Sequence, residues 1–343
     1  MTSNQKKEIK KLFGKVKFAE PLKKHCTFRI GGPADIFVEI KELDKNGLDK
    51  LKKAIQFFRK NKIKFLVIGN GSNILFHDKG FRGAIIKIIA AKLTFSEIPI
   101  EEKSNRQRKL SSRAKKSKKS KAKKSRTKFQ TILSADAGVP LSFLIAKANK
   151  KGFNNFLPLT GIPGTVGGAV RGNAGANGME ISDALISAKI FDFRNLRTKT
   201  IEQKDLNFSY RDSLIKKKNL IILKATFKLE KVKYPAKVLK EIAAYRSQNQ
   251  PQGFSAGSFF KNPNPKKPAG LLIDQCGLKG KQIGGAKISE KHANFIQNTK
   301  GKATQKDVLS LAELAKKEVL QRFNINLEEE VQIVHESTKS LQN

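Results

Sequence analysis

Two shortages in this 343-residue chain, of cysteine and of acidic residues, narrow the classes of protein it can belong to. Cys26 and Cys276 are its two cysteines, 250 positions apart, and no CxxC or HExxH motif occurs. This pattern argues against a disulfide framework and a structural zinc site, and we predict no metal. No apolar run reaches the ~18 residues of a membrane span, and the N-terminus lacks the apolar core of a signal peptide. We therefore expect a protein of a reducing compartment, the cytoplasm.

Acidic residues number 29 against 70 lysines and arginines, so the formal net charge is +41. Such a field attracts nucleic acid, anionic surfaces and polyanionic small molecules without choosing among them. Residues 101–128 hold fourteen Lys or Arg against two Glu, with one leucine and no aromatic residue. This composition cannot form a core, so we expect a disordered insertion in a loop between two strands. Contact with nucleic acid or an anionic surface through this insert stays open.

The rest of the sequence mixes short strands with helices and predicts two or three domains. Strand patterns occur within 28–40, 65–76, 84–89, 129–138, 185–193, 220–229 and 328–336. Apolar residues recur at helical spacing or between helix-end signals in 46–62, 140–152, 234–248, 268–277 and 303–323. The change from strands to helices indicates a domain boundary near residue 232.

Three glycine-rich segments stand beside these strands, at residues 31–33, 69–73 and 161–178. None matches GxGxxG or GxxxxGK[ST], so neither the common Rossmann site nor a P-loop is predicted. The third segment, GIPGTVGGAVRGNAGANG, has seven glycines and neither lysine nor carboxylate. Glycine permits positive φ and lets a backbone N–H approach an anion without a side chain in the way. Ordinary turns explain any one segment, but the three together favour a cradle for a diphosphate.

Three polar segments are candidates for a binding pocket. NFSYRDS (207–213) has a Tyr-Arg pair that suits a carboxylate or a phosphate, although a surface arginine at a strand end is the simpler explanation. SAGSFFKNP (255–263) combines a serine, two phenylalanines, a cation and an amide, which fits a pocket wall or a strand with a turn equally well. LEEEV (327–331) is typical of a solvated surface, although a glutamate in so basic a chain can be drawn into a site.

Taken in order, these segments resemble the UDP-N-acetylenolpyruvoylglucosamine reductase family, also called UDP-N-acetylmuramate dehydrogenases, in the type without the extra tyrosine loop. The resemblance covers about residues 20–334 except the basic insert, and GIPGTVGGAVRGNAGANG with SAGSFFKNP is its most specific part. It implies an α+β fold, with a vanillyl-alcohol-oxidase-type two-lobed FAD-binding domain plus a C-terminal α+β substrate domain. The implied divisions are an N-terminal extension 1–19, a first lobe 20–100, the basic insert 101–128, a second lobe 129–231 and a substrate domain 232–343. A return of the final strand to the first lobe is left open.

The resemblance also implies a reaction. NADPH would reduce FAD, and a hydride would then pass to C3 of UDP-N-acetylglucosamine enolpyruvate, giving UDP-N-acetylmuramate for peptidoglycan precursors. Arg211 matches the family's catalytic arginine, Ser258 the serine that protonates C2, and Glu330 the catalytic glutamate. Glu328 is the alternative register, because the motif here is a run of glutamates. The residues implied for substrate binding are Tyr210, Lys261 and Asn262.

The implied FAD contacts fall in two of the glycine-rich segments or, for Ile68, directly before one. They are Ile68, Gly69, Asn70, Gly71, Ser72, Asn73, Gly161, Pro163, Gly164, Thr165, Val166, Gly168, Asn173 and Gly175. The leading contacts for the FAD diphosphate are Gly164, Thr165, Val166 and Gly168. Two other functions stay open: another flavin oxidoreductase of this fold acting on a sugar or lactone, and a basic binder of nucleic acid or anionic surfaces on the same fold.

Overall fold

The computed structural model describes residues 2–99, 129–218, 220–234 and 250–335. The basic insert and nearly all of the helix predicted at 234–248 lie outside these ranges. The helices are α1 Ser3–Phe13, α2 Lys45–Lys60, α3 Leu141–Lys150, α4 Val166–Arg171, α5 Ile181–Ala184, α6 Leu214–Lys217, α7 Ala269–Gln275 and α8 Gln305–Phe323. The strands are β1 Val16–Pro21, β2 Pro33–Ile40, β3 Phe65–Ile68, β4 Ile74–Phe76, β5 Phe81–Ile88, β6 Leu93–Pro99, β7 Phe129–Asp136, β8 Gly175–Ala176, β9 Met179–Glu180, β10 Leu185–Asp192, β11 Arg197–Glu202, β12 Ile221–Lys228, β13 Gln282–Ile283, β14 Ala286–Ile288, β15 Ile296–Asn298 and β16 Gln332–Val334. In the part of the chain just defined, no helix is long and apolar enough to cross a bilayer.

The first sheet has the strand order β1-β2-β5-β3, with β1 antiparallel to β2 and the other pairs parallel. Because side chains alternate along a strand, Ile36 and Val38 of β2 enter one core while Phe37 enters another. Burial of both faces explains why β2 and β5 are apolar along most of their length. The segment expected to be an N-terminal extension joins this unit, since Ile9 of α1 is fully buried in the first core.

The second sheet is antiparallel and has the strand order β11-β10-β12-β7-β6. Its strands β6 and β7 pair to their ends, with Pro99 opposite Phe129. The chain from 100 to 128 therefore connects two neighbouring antiparallel strands. Helix α4, which begins within the third glycine-rich segment, packs on this sheet against β12.

The C-terminal part contains the small sheet β13-β14-β15 and helices α7 and α8, whose apolar faces share a core with the first sheet. Its last strand, β16, pairs in parallel with β4. This strand is shorter than the predicted 328–336, because residues 328–330 run beside 259–261 instead. Lys261 N donates to Glu328 O at 2.8 Å, and Glu330 N donates to Phe259 O at 2.8 Å. The fold therefore brings the glutamate run to the segment that contains Ser258.

Candidate active site

Residues 69–73 and 161–168, which we call the glycine cradle, lie directly against each other. Ser72 Oγ donates to the carbonyl oxygen of Pro163 at 3.2 Å. Gly164 has a φ of 125°, and a Cβ on it would lie 2.8 Å from Ser72 Oγ. The two segments are far apart in sequence, yet their contact leaves little room for a side chain at Gly164. The cradle surface is therefore built mainly from backbone.

Helix α4 begins within the cradle, at Val166. The contacts at its first turn show which N–H groups of the cradle already donate a hydrogen bond within the protein. Thr165 precedes the helix, and its Oγ1 accepts from Gly168 N at 3.3 Å. A Cβ on Gly69 would lie 2.5 Å from this same Thr165 Oγ1. Val166 is fully buried, and its N–H donates to Val139 O at 2.8 Å. Of the four leading phosphate contacts, Val166 thus has both its side chain and its N–H engaged within the fold.

Two observations on the cradle fit a bound cofactor such as FAD. Gly168 is exposed, and a Cβ on it would meet only Thr165 Oγ1, at an ordinary 3.7 Å. Neither packing nor backbone strain within the described residues therefore requires glycine there, whereas close approach of a ligand would. Beside the cradle, Thr27 N donates to Gly71 O at 3.2 Å, while Thr27 Oγ1 is buried without a partner in the described chain. A buried hydroxyl of this kind normally has a hydrogen-bond partner, which a ligand would supply.

Sequence reasoning missed Thr27, and little in the sequence singles it out. It directly precedes the strand pattern at 28–40 and has no glycine next to it. Its proximity to the cradle arises from tertiary contact with the 69–73 loop.

The other residues predicted to contact FAD lie in different surroundings. Ile68 is buried, whereas Asn70, Gly161 and Pro163 are exposed. Asn73 donates from Nδ2 to Glu330 O at 3.0 Å and so connects the cradle to the glutamate run.

Asn173 and Gly175, at the end of the third glycine-rich segment, lie beside Arg211. The Asn173 side chain donates to Glu180 Oε2 at 2.6 Å and to Ser209 O at 3.1 Å. The Arg211 guanidinium in turn donates to Asn173 O at 3.4 Å and to Gly175 O at 2.9 Å. The structure therefore uses this end of the segment to hold an arginine.

Arg211 and Glu330 form an ion pair at the centre of the site. Arg211 Nε is 3.0 Å from Glu330 Oε1, and each side chain is about one-fifth exposed, at 21% and 20%. The Nε–H is buried and is not aligned for a hydrogen bond, so the contact is primarily electrostatic. Arg211 has a φ of 57°, in the left-handed region that few residues other than glycine adopt. The predicted arginine and glutamate thus meet although 119 positions separate them.

The charges around Glu330 oppose the effect of its burial. Burial raises the pKa of Glu330, while the cations Arg211, Lys216 and Lys261 lower it, and the net shift is upward. Burial also lowers the pKa of the neighbouring Lys216, and Lys261 and Arg171 lower it further. Desolvation of this kind disfavours the charged form of either group. Perturbed groups of opposite sign at one place are typical of a functional site.

Glu328, the alternative to Glu330, lies in a different environment. Its side chain is 72% exposed and pairs with Lys261 Nζ at 2.5 Å. The neighbouring Glu329 pairs with Lys316 of α8 at 2.7 Å. Of the three consecutive glutamates, Glu330 is the one that faces Arg211.

The segment with Ser258 forms one wall of the site. Its phenylalanines, Phe259 and Phe260, are buried at 1% and 2% exposure and anchor the segment in the second core. Ser258 is partly exposed, and no described residue hydrogen-bonds its hydroxyl group. Since Phe259 O accepts from Glu330 N, Ser258 lies next to the residue that pairs with the glutamate.

The residues predicted to bind substrate extend this wall toward Arg211. Asn262 N donates to the Tyr210 hydroxyl group at 3.3 Å. The Tyr210 ring lies 5.0 Å from Arg211 Cζ, a cation–π distance, and the tyrosine is 45% exposed. Lys261 is held by its pair with Glu328. Among the residues with described positions, no three His, Cys, Asp or Glu side chains gather in a way that could hold a metal ion.

Two family models match the chain. Residues 249–334 match the C-terminal domain of UDP-N-acetylenolpyruvoylglucosamine reductase, and residues 125–195 match an FAD binding domain. The first match contains Ser258 and Glu330. The second contains residues 161–168 of the cradle.

Relatives of similar length match nearly the whole chain. A UDP-N-acetylenolpyruvoylglucosamine reductase of Caldanaerobacter subterraneus is 37% identical over 326 residues, which cover 94% of this chain and 95% of the relative. One of Alkaliphilus oremlandii is 38% identical over 321 residues, or 92% of each chain. The solved UDP-N-acetylenolpyruvylglucosamine reductase of Thermus caldophilus superposes with a TM-score of 0.68 at 29% identity, covering 94% of this chain and 99% of that one. These matches confirm the predicted α+β fold class with its FAD-binding domain.

Proposed function

Because the chain belongs to the UDP-N-acetylenolpyruvoylglucosamine reductase family, we propose that it reduces UDP-N-acetylglucosamine enolpyruvate to UDP-N-acetylmuramate, with NADPH as reductant and FAD as carrier. The protein is an oxidoreductase of peptidoglycan precursor synthesis. The single observation that best supports the finer assignment is the Arg211–Glu330 ion pair beside the Ser258 segment. We also propose a cytoplasmic location, where NADPH is available.

The glycine cradle and Thr27 would hold FAD. The exposed face at Gly168 leaves room for a phosphate group, and Thr27 Oγ1 has a hydrogen bond to give. FAD, when bound, would supply the hydride that it has received from NADPH. The chain's own residues would bind the substrate and manage its charge and proton.

Arg211 would stabilise the negative charge that develops on the enolpyruvyl carboxylate and C2. A fixed cation placed where charge develops is among the largest contributions to catalysis. The carbonyl oxygens of Asn173 and Gly175 already hold its guanidinium, so little reorganisation is needed when substrate arrives. The Tyr210 ring covers one side of the guanidinium and restricts its movement.

Ser258 would donate the proton of its Oγ to C2 of the substrate. A hydroxyl is a weak acid, but a developing carbanion is a strong base, so its position matters more than its pKa. Its hydroxyl group is uncommitted within the described residues, which suits a group that must turn toward a ligand. Glu330 would act beside it on the substrate carboxylate, from the position that its contact with Arg211 gives it.

The test is NADPH oxidation that depends on UDP-N-acetylglucosamine enolpyruvate, measured in wild type and in Ser258→Ala. We expect the variant to retain FAD and to let NADPH reduce it, but to lose turnover of the enolpyruvyl substrate. Ser255→Ala, in the same segment, is the matched control and should keep turnover. Wild-type protein that binds FAD but oxidises NADPH no faster with the enolpyruvyl substrate would contradict the proposal, and oxygen consumption with a sugar or lactone would favour the alternative oxidoreductase.

A further inference from the structure

Lys216 lies on the short helix α6, immediately after the turn that carries Arg211. Its Nζ donates to the carbonyl oxygen of Arg211 at 3.1 Å, and its side chain is partly buried. Ser213 caps the helix by accepting from Lys216 N at 3.3 Å, and its own hydroxyl group donates to Arg171 O at 2.7 Å. The Lys216 side chain therefore contacts the turn that carries Arg211, and the Lys216 backbone N–H is held by the Ser213 hydroxyl group.

The backbone of Arg211 needs such a contact. Its φ of 57° is a conformation that a residue with a Cβ adopts only when the surroundings hold it there. The tight turn around it is closed by Ser209 N to Asp212 O at 3.2 Å and by Asp212 N to Ser209 O at 3.0 Å. The guanidinium is held separately by carbonyl oxygens of residues 173 and 175. The Lys216 ammonium binds a backbone group inside this turn, the carbonyl oxygen of Arg211.

We propose that Lys216 is a positioning residue for the reaction: its ammonium holds Arg211 in its left-handed conformation and places a second positive charge near Glu330. The catalytic half of this inference rests on the proposed function, whereas the conformational half does not. No contact between Lys216 and substrate or cofactor is needed for either.

The charges around Lys216 support a functional rather than a stabilising role. Lys261 and Arg171 repel its ammonium, whereas Asp212 and Glu330 attract it, and with burial the net result is a lowered pKa. Asp212 is already paired with Lys217 at 3.1 Å. A lysine chosen for stability alone would not be placed in a desolvated site beside two other cations.

The same charges make the proposal testable through Glu330. The charged groups that act on Glu330 are Arg211, Lys216 and Lys261, and each lowers its pKa. Removing the Lys216 charge should therefore raise the pKa of Glu330, whichever of its protonation states is the active one. Replacing Lys216 with arginine keeps the charge and should leave that pKa nearly unchanged.

The first experiment compares Lys216→Met, Lys216→Arg and the neighbouring Lys217→Met in the FAD-loaded enzyme. We expect Lys216→Met to lower kcat about ten- to a hundredfold, with a smaller change in KM, because a small misplacement of a catalytic group is enough for such losses. Lys216→Arg should recover part of kcat. Lys217→Met removes an exposed lysine of the same helix and should stay within about twofold of wild type.

The pH profile separates positioning from general structural damage. One limb of the kcat profile is assigned to Glu330 by its absence in Glu330→Gln. This limb should move to higher pH in Lys216→Met, and should keep its place in Lys216→Arg and Lys217→Met. Wild-type kcat together with an unmoved limb in Lys216→Met would overturn the proposal.

A second readout does not depend on turnover. The Arg211 Nε–H signal in a nitrogen–proton correlation spectrum is assigned by its loss in Arg211→Lys. It should shift in Lys216→Met and remain in place in Lys217→Met. An unmoved signal in Lys216→Met would overturn the positioning role. A shifted signal in a protein whose wild type does not reduce the enolpyruvyl substrate would support that role and reject the proposed function. If Lys216→Met does not fold, the same comparison is made with Lys216→Gln, which also removes the ammonium charge and should likewise displace the Arg211 signal.

Discussion

The glycine cradle and the Arg211–Glu330 pair are neighbouring parts of one site built on opposite principles. The cradle, residues 69–73 and 161–168, has no charged side chain, and contacts between backbones and small side chains give it its shape. Around the pair, Lys216 and Lys261 add positive charge to a partly buried carboxylate. Adding an atom to the glycine cradle should therefore weaken FAD binding. Removing a charge at the Arg211–Glu330 pair should instead lower the rate of turnover.

The largest effect should come from removing the central cation. Arg211→Met takes away the charge proposed to stabilise the substrate carboxylate and leaves Glu330 without its 3.0 Å partner. We expect kcat/KM to fall by about 10²–10³, as when one preorganised donor is lost from an active site. Steady-state NADPH oxidation measures this, with FAD absorbance as the check on the cofactor. The exposed Arg197→Met is the control, and a loss below tenfold in Arg211→Met would count against an electrostatic role.

The glutamate run offers a comparison within three residues. Glu330→Gln should lower kcat by about 10², in the range for loss of an acid–base group. Glu328→Gln should change it less than about twofold, because its pair with Lys261 is exposed on the glutamate side and of little energetic value. Substrate-dependent NADPH oxidation by both variants decides between them. The reverse ranking would move the catalytic assignment to Glu328.

Adding a methyl group to the cradle should weaken FAD binding without unfolding the protein. A Cβ on Gly168 meets only Thr165 Oγ1 at 3.7 Å, so Gly168→Ala should leave the melting temperature of the apoprotein unchanged or slightly higher. A bound phosphate would meet that methyl group, and a clash of ~1–3 kcal/mol corresponds to about a tenfold or larger rise in the Kd of FAD. Fluorescence titration of the apoprotein with FAD measures this change.

Gly164→Ala is the contrasting variant in the same cradle. Its φ of 125° and the 2.8 Å approach to Ser72 Oγ predict strain in the protein itself. The apoprotein should therefore melt at a lower temperature, as Gly168→Ala should not. Equal FAD affinity in Gly168→Ala and wild type would show that no ligand approaches this face.

The smallest effect concerns stability and pH. The pKa of Glu330 is higher in the folded protein than in the unfolded chain. This difference stabilises the folded protein fully at pH values below the ordinary glutamate pKa, and the stabilisation is lost as pH rises through the pKa of the folded protein. Glu330→Gln stays neutral at every pH. The melting temperature of the variant minus that of wild type should therefore increase between about pH 4 and pH 8, by a few degrees at most. A difference that decreases over this range would mean that the ion pair with Arg211 outweighs the desolvation of Glu330.

The elements that sequence patterns predicted are those with strong apolar periodicity. Helix α2, Lys45–Lys60, was expected at 46–62, and α8, Gln305–Phe323, at 303–323. Elements that the patterns missed have few buried positions. β11 buries only Ile201 among six residues, and α1 buries only Ile9. Such segments are ordered by their neighbours, and a periodicity search cannot detect them.

For the site, resemblance selected Arg211, Ser258 and Glu330, and the structure brings their segments together. Lys216, Asn73 and Thr27 were not predicted in the roles that their contacts indicate. Asn73, for example, meets the Glu330 carbonyl 257 positions away. A pattern of nearby residues carries no information about such a contact.

By itself the sequence determined that the segment containing β2 is a strand with alternating side chains, and that the glycine cradle at 69–73 and 161–168 has no charged side chain. Local composition is sufficient for both, because side-chain alternation and the absence of a Cβ are properties of the residues themselves. Only the tertiary structure decided which of three adjacent glutamates faces Arg211. Burial of one carboxylate depends on which segments surround it, and the residues at 73, 211 and 259 reach Glu330 only through the fold.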